Sequence, residues 1–281
     1  MRVGITGARG RLAPLIANHY RARGDDVVLF SRVSGDGVLD LEEIGNTRCE
    51  MIIHCAWSGV PITAESNPGL SGCEDLPLLR RLIEQTGKHH TTLVFPSTAA
   101  VYGDTGHQPA TEACPPAPLG AYAHSKLAAE ELLLQASPTR SLVLRVTNLL
   151  GEGVHPARPQ GILPRLFAAA REGVPVELWG DGTATKDYLH CMDFLSAMEA
   201  LVDGGHRGVF NVASGESVSL LELIRLVEAC TGKRVPVVHR DHYPWDVSHS
   251  LISGTRLRET AGWQPELNVA TAVERCLRAM G

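Results

Sequence analysis

No apolar run in the 281-residue sequence approaches the ~20 residues that a helix needs to cross a bilayer, so no membrane span is expected. Positive charge is not in excess. The 26 Lys and Arg stand against 31 Asp and Glu, a formal net charge of -5, which argues against a general affinity for nucleic acid. The seven cysteines (49, 55, 73, 114, 191, 230, 276) are odd in number and show no paired spacing. They read as reduced thiols of a cytosolic protein, with Cys55 and Cys230 on core faces. The twelve histidines include no pair at the i, i+4 spacing of a zinc helix. His239 and His242 flank Asp241 in a segment that reads as a solvated loop, so no metal site is expected. The N-terminus, Met1 to Ile5, enters a strand without an apolar leader, which again points to the cytoplasm. There is no internal repeat and no low-complexity tract. What remains, 44% hydrophobic and 20% charged, is an ordinary globular composition, long enough for one large domain or two smaller ones.

Arg2 to Thr6 is a β-rich run that stops at Gly7-Ala8-Arg9-Gly10-Arg11-Leu12-Ala13. A helical pattern follows, ending at Gly24, and Val27 to Phe30 reads as a buried strand. Strand, glycine turn, helix and strand make a βαβ dinucleotide-binding unit. Gly7 and Gly10 allow a tight turn and let backbone amides approach a pyrophosphate at the helix N-terminus. A plain strand-turn-helix with convenient glycines is the other reading. An acidic residue at the end of the second strand would accept hydrogen bonds from an adenosine ribose. This chain has Ser31-Arg32 there, with Arg9 inside the glycine turn. Two guanidiniums and a hydroxyl suit a 2′-phosphate, so NADP(H) is favoured, with NAD(H) still open.

The region from Gly35 to Asn46 reads as a loop, Glu50 to Ala56 as a buried parallel strand, and Trp57 to Gly72 as a loop over the site. Leu76 to Thr86 is an amphipathic helix, and Thr91 to Phe95 a strand running into Pro96-Ser97-Thr98-Ala99-Ala100-Val101-Tyr102-Gly103. In an open α/β sheet ligands sit at the carboxyl ends of strands, which places the Thr98 hydroxyl at the site, unless it only caps the turn. Tyr122 to Gln135 is the next helix, and Ser141 to Val146 another buried strand ending in Thr147-Asn148. Tyr122 and Lys126 share a helix face. A free tyrosine, with a pKa near ~10, is a poor base at neutral pH. An ammonium one turn away stabilises the phenolate and makes proton exchange with a substrate feasible. Alone, such a pair also occurs on helices where it is an aromatic beside a solvated charge.

Taken together, these residues resemble the extended short-chain dehydrogenase/reductase family, in its nucleotide-sugar branch of NAD-dependent epimerases and dehydratases. The carriers are Thr6 to Ala13, Pro96 to Gly103, Tyr122-x-x-x-Lys126, Leu144-Arg145-Val146-Thr147-Asn148, Trp179-Gly180-Asp181-Gly182-Thr183-Ala184-Thr185-Lys186-Asp187-Tyr188-Leu189-His190 and Ala261-Gly262-Trp263-Gln264-Pro265. The resemblance covers nearly the whole chain. It implies a doubly wound parallel sheet (a Rossmann fold) over residues 1–148 plus about 187–213. A smaller C-terminal α/β substrate domain would take 149–186 plus 214–281 and close a cleft over the nicotinamide.

By the same resemblance Tyr122 is the catalytic acid/base, Lys126 lowers its pKa and holds the nicotinamide ribose, and Thr98 bonds the reacting oxygen. The expected cofactor set is Gly7, Arg9, Gly10, Arg11, Leu12, Ser31, Arg32, Asp40, Leu41, Cys55, Ala56, Trp57, Pro96, Tyr122 and Lys126. The expected substrate set is Thr98, Ala99, Asn148, Val176, Trp179 and Lys186. Lys186 stands where the family usually has a phosphate-binding arginine, so it keeps the charge and loses the fork. A second family arginine falls at Tyr243. Family dehydratases carry Asp-Glu after the threonine, and members that epimerise at C3 and C5 have a cysteine at the second of those positions. Here Ala99-Ala100 supplies neither, which leaves hydride transfer at one carbon, C4.

Two chemistries fit: an NADP(H)-dependent 4-ketoreductase of a nucleoside-diphosphate 4-keto-6-deoxyhexose, and an NAD-dependent 4-epimerase. A non-catalytic NADP-binding descendant is a more remote third reading. The expected partner is a nucleoside-diphosphate sugar, with a homodimer as a further expectation.

Overall fold

The structure is a computed structural model that describes residues 1–59, 61–66, 72–151, 161–241 and 247–280. The described residues form, in chain order, β1 (Arg2–Thr6), α1 (Leu12–Ala22), β2 (Asp26–Ser31), β3 (Val38–Asp40), β4 (Met51–His54), α2 (Pro61–Ser66), α3 (Asp75–Gly87), β5 (Thr92–Thr98), α4 (Ala121–Ala136) and β6 (Ser141–Val146). There follow β7 (Asn148–Leu150), α5 (Ile162–Glu172), β8 (Val176–Trp179), β9 (Thr185–His190), α6 (Cys191–Asp203), β10 (Gly208–Val212), β11 (Ser217–Ser219), α7 (Leu220–Thr231), β12 (Val237–Arg240), β13 (His249–Ser250), α8 (Thr255–Ala261) and α9 (Val269–Met280). The chain separates into two compact units.

The first unit comprises Met1–Val101, Pro118–Arg145 and Leu201–Phe210. Its parallel seven-stranded sheet runs β10-β6-β5-β4-β1-β2-β3, with flanking helices. Every residue of β4 is buried. An unbroken apolar run of this kind suits a strand covered on both faces. On α3, Leu79, Leu82, Ile83 and Thr86 fall three or four apart and are buried. The three aliphatic ones join Phe30, Leu93, Phe95, Leu133 and Val143 in one core, where each fully buried large side chain contributes roughly 1.5–3 kcal/mol. Thr6 lies opposite both Phe30 and His54, and Ser31 lies opposite Asp40, so the strand ends are in step. The strand order reverses at β1, and such a switch point is where doubly wound sheets take ligands.

The second unit comprises Tyr102–Ala117, Val146–Ala200 and Asn211–Gly281. Here β9 is the hub of a small sheet with β7, β11 and β13, while β8 pairs in parallel with β12. Leu166, Phe167, Leu178, Leu223, Val227 and Val273 form its core. A reciprocal cap between Ser219 and Glu222 opens α7.

Three expectations differ from this arrangement. The division by sequence assigned about 187–213 to the large sheet, a stretch that opens inside β9. The partners of β9 are instead β7, β11 and β13, and β10 is the strand that joins the large sheet. The stretch from Gly35 to Asn46, read as a loop, contains β3 and a 3-10 turn at Leu41–Gly45 capped by Asp40, whose carboxylate accepts the Glu42 N–H at 2.9 Å. A three-residue strand is too short to show alternation. Helix α2 lies within the stretch Trp57 to Gly72, and residues 60 and 67–71 of that stretch are outside the described residues. Among the described residues no helix is long and apolar enough to cross a membrane.

Candidate active site

Helix α4 begins after Gly120, whose extended backbone turns the chain into the helix. Its buried face carries Ala123, Ser125, Lys126, Ala129, Glu130 and Leu133, so two charged residues lie one turn apart in an otherwise small and apolar stripe. Lys126 is only 5% exposed. Its Nζ donates to the Pro96 carbonyl at 3.0 Å. The same atom stands 4.4 Å from the ring centres of both Trp57 and Phe95, and 6.0 Å from that of Tyr122. Burial pulls the Lys126 pKa down to about 8, while Cys55, Asp75 and Glu130 act in the opposite direction. An ammonium so placed is still charged at neutral pH and acts on the tyrosine in a medium of low polarity, where its field is weakly screened.

Glu130 is fully buried and accepts from Arg145 Nε at 3.0 Å and Nη2 at 2.7 Å. Its other oxygen accepts from the Ser97 hydroxyl. Pro96, Ser97 and Thr98 are consecutive at the end of β5, so Lys126 and Glu130 hold the strand that carries Thr98 through two successive residues. The Thr98 hydroxyl accepts the Ala100 N–H at 3.2 Å, a local turn bond, and Ala99 is buried beside it. Glu130 and Arg145 were missed as site residues from the sequence. Their signals were there: a glutamate four residues after Lys126, and a lone charge inside the apolar strand Ser141 to Val146.

The glycine turn fits a dinucleotide. Gly7 has φ +76°, and a Cβ there would lie 2.8 Å from the Ala56 amide nitrogen and the Cys55 carbonyl carbon. Only glycine brings these two strand ends so close. The Gly10 N–H donates to the Gly7 carbonyl at 2.7 Å, and no side chain caps α1 at Arg11. Amides at such a helix start suit a pyrophosphate. The Thr6 hydroxyl accepts the Ala56 N–H at 3.1 Å and contacts His54 Nδ1 at 2.9 Å, fixing the loop of Cys55, Ala56 and Trp57. Burial drives the Cys55 thiol up to about 12, so it is a neutral wall residue.

At the end of β2, Arg9 Nε donates to the Val33 carbonyl at 3.1 Å, and the Ser31 hydroxyl accepts the Val33 N–H at 3.3 Å. Arg32 is paired with Glu74 at 2.7 Å, both side chains about two-thirds exposed. The three residues expected around a 2′-phosphate are thus neighbours, and one of them already has an anion. Asp40 is spent as a cap, and Leu41 is buried in the core.

Of the expected substrate residues, Thr98 and Ala99 belong to the first unit, and Asn148, Val176, Trp179 and Lys186 to the second. Asn148 Nδ2 donates to the Asp187 carbonyl at 3.0 Å, and Lys186 Nζ to the Val247 carbonyl at 2.9 Å. In β8 burial alternates, so Val176 faces the core and Trp179 does not. Tyr243 lies outside the described residues. Among the described residues no cluster of three or more His, Cys, Asp or Glu could hold a metal ion.

Residues 3–213 match the model of the NAD dependent epimerase/dehydratase family. A UDP-glucose 4-epimerase of Azospirillum brasilense is 32% identical over 196 residues, 62% of this chain and 56% of that protein. A dTDP-4-dehydro-6-deoxy-D-allose reductase of Streptomyces bikiniensis is 33% identical over 130 residues, 46% of this chain and 40% of that protein. The chain thus spans little more than half the length of the first of these relatives. Among solved structures, the UDP-glucose 4-epimerase of Thermus thermophilus in complex with NAD has the same fold, with a TM-score of 0.88 at 24% identity, over 99% of this chain and 98% of that one.

Proposed function

Since the chain belongs to the NAD dependent epimerase/dehydratase family, we propose that it is an NADP(H)-dependent 4-ketoreductase acting on a nucleoside-diphosphate 4-keto-6-deoxyhexose. The observation that carries this reading is the pairing of Tyr122 with a buried, charged Lys126 on α4, beside the strand end that bears Thr98. A bound nicotinamide supplies or takes the hydride at C4. Tyr122 gives its proton to the C4 oxygen, and the Lys126 ammonium stabilises the phenolate left behind. The Thr98 hydroxyl donates to the same oxygen and fixes its position. Ala99 and Ala100 hold no proton, so the reaction stops at the change in oxidation of one carbon. Gly7, Gly10 and the start of α1 hold the pyrophosphate, while Arg9, Ser31 and Arg32 take the 2′-phosphate. Trp179, Asn148 and Lys186 are assigned to the nucleotide and diphosphate of the sugar.

A 4-epimerase using NAD is the second reading. It is supported by the names of the relatives with the larger matched shares and by the Glu74 carboxylate, which already occupies Arg32. The test is calorimetric titration with NADPH and NADH, followed by turnover with a dTDP-4-keto-6-deoxyhexose and with UDP-glucose. Tighter NADPH and consumption of NADPH by the keto sugar are expected. Tighter NADH with conversion of UDP-glucose and no net oxidation would transfer the assignment to the epimerase.

A further inference from the structure

The ammonium of Lys126 lies between two aromatic faces that belong to different elements, Phe95 inside β5 and Trp57 just after β4. Resting on the reading of Tyr122 and Lys126 as an acid–base pair, we infer that Trp57 is a positioning residue of that pair. Together with Phe95 it forms an aromatic clamp that keeps Lys126 charged and aimed at Tyr122 without cancelling its charge.

The geometry is that of a double cation–π contact. Nζ is 4.4 Å from each ring centre, well inside the ~6 Å reach of the interaction, and indole offers the strongest face of the common aromatics. The two rings stand 5.6 Å apart and tilted by 57°, so they form a corner rather than a stack. The hydrogen bond to the Pro96 carbonyl uses one of three N–H donors.

The charged and titratable groups around Lys126 explain why aromatic faces are used. On its own helix are Tyr122 and Glu130, and the latter is committed to Arg145 of β6 and to Ser97 of β5. From the end of β4 come His54 and Cys55, both neutral at ordinary pH because of burial. From α3 comes Asp75, whose two oxygens accept from the Ser58 N–H at 2.9 Å and the Ser58 hydroxyl at 2.8 Å. No carboxylate among the described residues bonds Lys126. A carboxylate in contact would hold the ammonium charged but would oppose its field at the phenol oxygen. Ring faces stabilise the cation and add no net charge, so the field at Tyr122 survives.

The indole itself points the same way. Its Nε1 is buried and has no hydrogen-bond partner among the described residues, a loss that leucine or phenylalanine would avoid while filling core space. What tryptophan offers over those residues is the broader and more electron-rich face.

The test is a tyrosinate absorbance titration of the full chain, free of nucleotide, for wild type, Trp57→Phe, Trp57→Leu and Phe95→Leu. Each protein is paired with its Tyr122→Phe counterpart, so that the difference isolates Tyr122. Trp57→Leu should raise the Tyr122 midpoint by about one pH unit, the size of a desolvated cation–π contact, and Trp57→Phe by about half of that or less. Phe95→Leu removes the other face and should shift the midpoint in the same direction, which keeps the test open if Trp57→Leu does not fold. A midpoint unchanged by loss of either face, or equal shifts for the phenylalanine and leucine variants at 57, overturns the clamp. The measurement needs neither cofactor nor sugar. A shift without any turnover of nucleotide sugars would sink the proposed activity and leave the clamp standing; turnover without a shift would do the reverse.

Discussion

Arg145 places its Nε and one Nη on a single carboxylate oxygen of Glu130, at 3.0 and 2.7 Å, with the two side chains 7% and 1% exposed. This pair joins α4 to β6, and the Ser97 bond to the other Glu130 oxygen joins α4 to β5. Removing one partner strands a charge in the core. Glu130→Ala and Arg145→Ala should each lower stability in urea by about 3–5 kcal/mol. The double change Glu130→Leu with Arg145→Met should recover most of that loss, because two charges then leave together. Its turnover should stay low, since Ser97 has lost the acceptor that holds the end of β5. A double variant as unstable as either single one would show that the charge pair is not the source of the cost.

Tyr122→Phe removes the hydroxyl and keeps the ring. General acid–base catalysis is worth ~10²–10⁴ in rate, so turnover should fall by that range while cofactor affinity barely moves. Lys126→Met should lower rate and cofactor affinity together. Thr98→Val should cost less in rate than Tyr122→Phe, because one hydrogen bond is lost and the proton source remains. In the wild type the rate should also fall as pH rises through about 8, where the buried Lys126 gives up its proton. Turnover of the Tyr122→Phe protein close to wild type would remove the tyrosine from the mechanism.

The middle of the large sheet was legible because β1, β4, β5 and β6 are runs of largely buried residues, with Gly7 directly after the first of them. Tyr122 and Lys126 were legible for a different reason, a fixed spacing on one helix. Glu130 obeys the same spacing from Lys126, a signal that an ordinary solvated charge would also give, and burial is what separates the two. The pairing of Arg32 with Glu74 crosses 42 residues, and nothing local in the sequence announces it. The partners of β9 were hidden in the same way: a strand shows its own burial in its residues, whereas its neighbours are set by tertiary packing.

Glu74 should therefore act on cofactor choice. Its carboxylate competes with a 2′-phosphate for the Arg32 guanidinium, from an exposed site where the ion pair itself is worth little, about 0–1 kcal/mol. Glu74→Ala should tighten NADPH and leave NADH nearly unchanged. Arg32→Ala and Arg9→Ala should each weaken NADPH selectively, by about 1.5–3 kcal/mol for a charge-assisted contact. Calorimetric titration of the three variants with both cofactors reads this directly. Parallel changes for NADPH and NADH would mean that these arginines do not see the 2′ position.

His54 should set part of the acid limit of the fold. It is 2% exposed, its Nδ1 lies 2.9 Å from the Thr6 hydroxyl, and its ring stacks near Phe95. Burial, helped by the charge on Lys126, holds its pKa down to about 3, against 6.5 for the ordinary side chain. The folded protein therefore refuses a proton that the unfolded chain accepts below about pH 6.5. Stability from this group is complete above that value and is lost as pH falls towards about 3, by at most ~5 kcal/mol over the whole window. His54→Gln cannot titrate there. It should be less stable than wild type near neutrality, because the Thr6 contact is disturbed, and the difference should shrink as pH falls from about 7 to about 4. Denaturant melts of both proteins across that range cancel the carboxylates they share. Parallel stability curves would show that His54 takes up its proton alike in the folded and the unfolded chain, so that burial does not exclude the charged ring.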